Sequence, residues 1–132
     1  MGWTVTSDAV AVMLREAPAA LPRECCGLLL GHGAAIARAV PTANVADDPW
    51  RGFEIDPAAL IAAYRAERGG GPQLLGYYHS HPTGDARPSA TDRAMAAGDG
   101  RVWAIIAAGA VCWWRDEPGG GFQQLSCSVM PG

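Results

Sequence analysis

Two histidines, His79 and His81, stand two residues apart at the end of an apolar run, Leu74 to Tyr78. In an extended strand residues i and i+2 point to one face, so both imidazoles aim at one point. A turn-rich loop follows, and then Pro88-Ser89-x-x-Asp92 opens a helix. The Ser-x-x-Asp pattern is a capping box, in which the acid sits near the positive end of the helix. Asp92 is therefore either a plain cap residue or a third ligand beside the two histidines. Two imidazoles and a carboxylate with an open fourth position make a catalytic zinc arrangement, whereas structural zinc sites are closed by four protein ligands. Such a centre lowers the pKa of a bound water toward ~7. It still needs a base that is not itself a ligand. Glu16, Glu24, Glu54, Glu67 and Glu117 are available. Glu24 stands out because it opens an apolar strand, where a carboxylate is costly without a task or a partner.

The elements that position these residues follow from pattern and punctuation. Trp3 to Thr6 reads as a short strand, and Ser7 as the N-cap of a helix ending near Ala17-Pro18. Glu24 to Gly31 is a buried strand with three consecutive leucines, turning at Gly31-His32-Gly33 into a partner strand, Ala34 to Val40. After a loop, Phe53 to Ile55 alternates like a short strand. Asp56-Pro57 then caps a helix reaching about Arg68, stopped by Gly69-Gly70-Gly71-Pro72. Leu74 to His81 carries the histidines, and Ser89 to about Ala97 is the next helix. Val102 to Ala107 and Val111 to Arg115 form a hairpin around Gly109, and Phe122 to Val129 is a last strand. Strands interleaved with about three helices indicate an α/β or α+β fold with a mixed sheet. The 132 residues suit one domain, residues 1–132.

Composition excludes several classes. At 49% hydrophobic residues the chain is not disordered. The net charge is −3 and no basic run is present, which argues against nucleic acid as a partner. No apolar stretch approaches the ~20 residues of a membrane span, and no signal peptide is visible at the N-terminus. The expected location is cytoplasmic. The four cysteines, Cys25, Cys26, Cys112 and Cys127, form no Cys-x-x-Cys pair and are expected to be reduced.

The composite motif resembles the JAMM, or MPN+, zinc metalloproteases. The family pattern is an upstream Glu, His-x-His, ten residues and Asp, with Pro after the second His and Ser three before the Asp. Here these are Glu24, His79-Ser80-His81-Pro82, ten intervening residues, Ser89 and Asp92. The segments Pro22 to Gly31 and Arg51 to Pro57 are similar to the small stand-alone bacterial branch, some of whose members process ubiquitin-like sulfur-carrier proteins. The resemblance implies a JAMM/cytidine-deaminase-like sandwich. It implies one Zn2+ held by His79, His81 and Asp92, with Glu24 as general base and acid and Ser89 stabilising the oxyanion. Arg51 and Phe53 are the implied substrate contacts, although Gly52 separates two residues that relatives place adjacent. The implied reaction is hydrolysis of an amide bond at the C-terminal tail of a ubiquitin-like or sulfur-carrier protein. Two other readings compete: a non-catalytic MPN-type interaction module, and a thiol enzyme built on Cys25 or Cys26 with His32. Burial of those thiols in a strand, away from cationic groups, speaks against the thiol enzyme.

Overall fold

The computed structural model describes residues 2–132 and contains eight strands and three helices among them. The strands are β1 (Trp3–Thr6), β2 (Cys26–His32), β3 (Ala35–Thr42), β4 (Gln73–Ser80), β5 (Val102–Ala107), β6 (Ala110–Asp116), β7 (Phe122–Leu125) and β8 (Cys127–Met130). The helices are α1 (Ser7–Ala20), α2 (Pro57–Arg68) and α3 (Ala90–Met95). The fold is mixed α/β, as the alternation of patterns implies. All strands join one sheet in the order β7-β6-β5-β4-β2-β3-β1-β8. β4 therefore lies at the centre, antiparallel to β2 and parallel to β5.

Alternation along β2 divides the core. Cys25 and Leu29 contribute to an apolar cluster with Val5, Ala9, Met13 and Ile36 on the α1 side. Cys26 and Leu28 join Phe53, Ile55, Ala63 and Trp103 on the α2 side. Each fully buried side chain of this size is worth about 1.5–3 kcal/mol, so this two-faced burial holds β2 and β4 in register. The strands also approach closely: a Cβ at Gly76 would run into the Val102 backbone, and one at Gly27 into the Tyr78 ring.

Several boundaries differ from the sequence expectations. Thr6, not Ser7, caps α1, its Oγ1 accepting from Ala9 N at 3.2 Å. The helix runs past Pro18 to Ala20, because a proline in the last turn forfeits only one hydrogen bond there. Phe53 to Ile55 forms a single bridge, Asn44 to Ile55, rather than a strand. The expected last strand is two. β7 pairs with β6 at one sheet edge and β8 pairs with β1 at the other, separated in sequence only by Ser126. The sheet must therefore curl almost onto itself around α1, and the break at Ser126 lets the chain cross from one edge to the other. No helix among the described residues is long and apolar enough to cross a membrane.

Candidate metal and hydrolytic site

The register of β2 against β4 brings the upstream glutamate to the histidines. Cys26 pairs with His79 in an antiparallel ladder. Two residues further along each chain, Glu24 therefore comes opposite His81. The ladder is extended past the strand end by Ser80 N donating to Cys25 O at 3.1 Å and His81 N donating to Ile106 O at 2.9 Å. Ser80 Oγ also accepts from Cys25 N at 2.8 Å. His81, one residue beyond β4, is thus fixed by β5 on one side while Ser80 is tied to Cys25 on the other.

α3 supplies the carboxylate. Ser89 is its N-cap, accepting from Asp92 N at 3.0 Å, and Asp92 Oδ2 accepts in return from Ser89 N at 2.9 Å. The capping box is complete. The same Asp92 Oδ2 lies 3.1 Å from His79 Nε2 and 3.0 Å from His81 Nε2, and the two Nε2 atoms are 3.1 Å apart. Cap and cluster member are thus one residue, and the two readings of Asp92 do not exclude each other.

These three atoms form a nearly equilateral triangle. Zinc bonds of ~2.0–2.1 Å at the tetrahedral angle set neighbouring ligand atoms about 3.3 Å apart. The observed edges fall within a few tenths of an ångström of that. With Nε2 unprotonated on both rings, two imidazole lone pairs and a carboxylate oxygen face one point, an arrangement that a cation relieves. The tautomer of His81 fits as well. Its Nδ1 lies 2.6 Å from the carbonyl oxygen of Asp85, which can only accept, so Nδ1 carries the hydrogen and Nε2 offers its lone pair. The donor set therefore fits a zinc ion.

His79, His81, Asp92 and Glu24 are all buried. Burial is the largest influence on Asp92 and would raise its pKa, but the hydrogen bonds to His79 and His81, the electrostatic pull of His79 and the hydrogen bond from Ser89 N outweigh it and hold the carboxyl well below the usual range. Burial pushes His79 down from its ordinary value, with the hydrogen bond and charge of Asp92 opposing. His81 moves up: burial opposes this, and the hydrogen bonds to Asp92 and to the Asp85 carbonyl prevail. Glu24 is pushed up to about 8, chiefly by burial, with His81 opposing and Asp92 and Asp48 adding to the shift. Its Oε1 has no partner among the described residues. Glu24 offers a carboxylate oxygen that lies, with one ring nitrogen of each histidine, in a group of potential ligand atoms all within 4.8 Å of one another. The Glu24 backbone is clamped, its N–H donating to Pro49 O at 2.8 Å and its carbonyl accepting from Asn44 Nδ2 at 3.0 Å.

Asn44 was not singled out by sequence reasoning. Its side chain also donates to Gly52 O and accepts from Ala46 N and Glu54 N at 3.1 Å, tying the 44–54 loop to Glu24. An asparagine in a loop is too common a signal for this role to be read in advance. Arg51 and Phe53 part company. Arg51 lines a cleft of about 320 Å³ over the cluster, together with Glu24, Trp50, His81, Ser89 and Thr91. Phe53 is buried and stacks on His79, with centroids 4.3 Å apart.

Residues 6–116 match the model of the family described as prokaryotic homologs of the JAB domain. The chain belongs to that family. Among curated JAB-type relatives, it is 36% identical over 110 residues to the desampylase of Haloferax volcanii, covering 82% of this chain and 79% of that protein. It is 42% identical over 82 residues to the probable TtuB-protein conjugate cleaving protease of Thermus thermophilus, covering 62% of this chain and 52% of that one. Among solved structures, a Desulfitobacterium hafniense protein superposes with TM-score 0.83 at 30% identity, over 98% of this chain and 93% of the other. A JAB1/MPN domain protein of Archaeoglobus fulgidus shares the JAB fold at TM-score 0.65 and 17% identity, over 97% and 96% of the two chains.

Proposed function

We propose that this chain is a zinc-dependent peptidase of the JAMM type, taking one zinc, that hydrolyses an amide bond at the C-terminal tail of a ubiquitin-like or sulfur-carrier protein. The single observation that supports it most is the triangle of His79 Nε2, His81 Nε2 and Asp92 Oδ2 with the Glu24 carboxylate beside it. The names of the two curated relatives support a protein conjugate as the substrate.

His79, His81 and Asp92 would hold the metal. Zinc bound there supplies Lewis acidity, which acidifies a water and polarises a carbonyl. Glu24 takes a proton from the attacking water at a carboxylate oxygen and gives it to the departing amine nitrogen. A carboxylate can serve in both halves of that exchange, as base and then as acid. Ser89 Oγ accepts from Asp92 N, so its own hydroxyl hydrogen remains to be donated to the carbonyl oxygen as negative charge develops.

The tail is proposed to lie along Phe53 to Ile55. Glu54 N donates to Asn44 Oδ1 and Val45 N donates to Glu54 O, so this segment spends one edge on its own loop. Alternation turns the backbone groups of Phe53 and Ile55 to the other edge, where an extended peptide can pair with them. A groove of about 280 Å³ bordered by Phe53, Ile55, Leu60, Tyr77, Met95 and Trp103 accepts its apolar side chains. The departing side faces the cleft that Trp50 and Arg51 line. The proposed location is the cytoplasm. A non-catalytic module needs none of the cluster, yet Glu24 and all three proposed ligands are present.

The test is incubation of the zinc-loaded protein with ubiquitin-like carriers bearing C-terminal extensions or lysine-linked conjugates, read by intact mass. Release of the carrier at its terminal residue, abolished by a chelator and restored by zinc, is the expected result. Carriers left intact by zinc-replete protein would overturn the substrate assignment, and zinc-replete purification that yields no bound zinc would overturn the site.

A further inference from the structure

Asp92 stands on a helix of only six residues, too short to hold itself in water. What holds it comes from β6. Asp116, at the end of that strand and 1% exposed, accepts with Oδ2 from both Ala97 N and Gly98 N at 3.0 Å. Two consecutive N–H groups converging on a carboxylate form an anion nest. Gly98 has φ +65°, so the chain turns sharply there as it leaves α3. Trp114, two residues earlier and so on the same face of β6, donates its indole N–H to Ala86 O at 3.1 Å. Ala86 adjoins Asp85, the residue whose carbonyl fixes the His81 tautomer. Two side chains of one strand thus grip the segment on either side of Ser89 and Asp92.

We propose that Trp114 and Asp116 are positioning residues for the metal cluster: they clamp residues 86–98 at both ends, so that Asp92 and the Asp85 carbonyl are in place before zinc arrives. This rests on reading the triangle as a zinc site. Without the clamp, zinc must order the segment as it binds, and affinity falls by that cost. Asp116 Oδ1 is buried with no partner among the described residues. Burying a carboxylate this way is unfavourable for folding alone, and the two N–H groups gathered by its other oxygen are what it gains.

The test uses the full chain with Asp116→Ala, Asp116→Asn and Trp114→Phe. Zinc affinity is measured by chelator competition, and amide exchange over residues 86–98 is measured on zinc-free protein. Asp116→Ala should bind zinc on the order of 10-fold more weakly, because zinc must then order the segment as it binds. Trp114→Phe should weaken it in the same direction. Both should speed exchange across 86–98 while β2 and β4 stay protected. Asp116→Asn keeps an acceptor oxygen and should bind as wild type does. Wild-type affinity in the folded fraction of Asp116→Ala and Trp114→Phe, with only the melting temperature lowered, overturns the proposal, and so does Asp116→Asn binding as weakly as Asp116→Ala. If Asp116→Ala does not fold, Trp114→Phe and Asp116→Asn decide. Wild-type protein that takes up no zinc overturns the site reading instead, while the exchange measurement still reports on the clamp.

Discussion

Phe53 lies flat on His79, with ring centroids 4.3 Å apart and planes 19° from parallel. Trp103 meets both rings edge-on, at 5.4 and 5.6 Å. His79 Nδ1 has no hydrogen-bond partner among the described residues, so this ring is oriented by aromatic packing. His81 is oriented instead by its hydrogen bond to the Asp85 carbonyl. Phe53→Leu should keep the fold and weaken zinc binding, because the slot around His79 loosens. Phe53→Ala should cost about 3–5 kcal/mol of stability in urea unfolding. Unchanged zinc affinity in Phe53→Leu would show that stacking does not orient His79.

Glu24→Gln tests the base. The amide keeps the shape and cannot take a proton, so zinc content should match wild type while kcat falls ~10²–10⁴-fold. Metal analysis and steady-state kinetics on the same preparation check it. Normal turnover would mean that another group accepts the proton.

Asp92→Asn separates capping from metal binding. The amide oxygen can still accept from Ser89 N, so far-UV circular dichroism should not change. The charge facing the two histidines is gone, so zinc should be lost or bound at least ~10-fold more weakly. Retention of stoichiometric zinc at wild-type affinity would leave Asp92 as a cap only.

A pH dependence of stability follows from Glu16, whose Oε2 accepts from Tyr78 O–H at 2.9 Å. Burial raises its pKa above the ordinary 4.5, with the hydrogen bonds from Tyr78 and Cys25 opposing. A raised folded-state value favours the protonated form. The stability it contributes is fully present below 4.5 and is lost as pH rises through the folded-state value. The melting-temperature difference between wild type and Glu16→Gln should therefore shift against the wild type as pH climbs from about 4.5. A difference that stays flat as pH rises from 4.5 would contradict the assignment.

The thiols should be inert. Burial pushes Cys25 up to about 12 and Cys26 up to about 11. Iodoacetamide at pH 8 should label neither residue in the native protein, as read by peptide mass, and hydrolysis should survive it while failing with a chelator. Labelling of Cys25 or Cys26 with loss of activity would revive a thiol mechanism.

The His79–His81 pair and the Ser89–Asp92 capping box were legible in the sequence because each constraint is short in range, whereas Glu24 stood out only as the acid that opens an apolar strand and through the family resemblance. Period-two alternation aims two histidines at one point, and a capping box places an acid in the first turn of a helix. The mixed α/β class was legible for the same reason, from hydrophobic period and turn residues. The division of Phe122 to Met130 between opposite sheet edges was not, since no local pattern tells a strand which partner it will find. Nor were the separate fates of Arg51, exposed at the cleft, and Phe53, buried on His79.

By itself the sequence determined which side chains could do chemistry and on which elements they stand, because propensity, periodicity and capping act within a few residues. Tertiary structure alone decided that Glu24 comes opposite His81 through the pairing of Cys26 with His79, and that Asn44, Trp114 and Asp116 hold the parts in place. Those relationships join residues distant along the chain, and they exist only once two buried sheet faces select a single register.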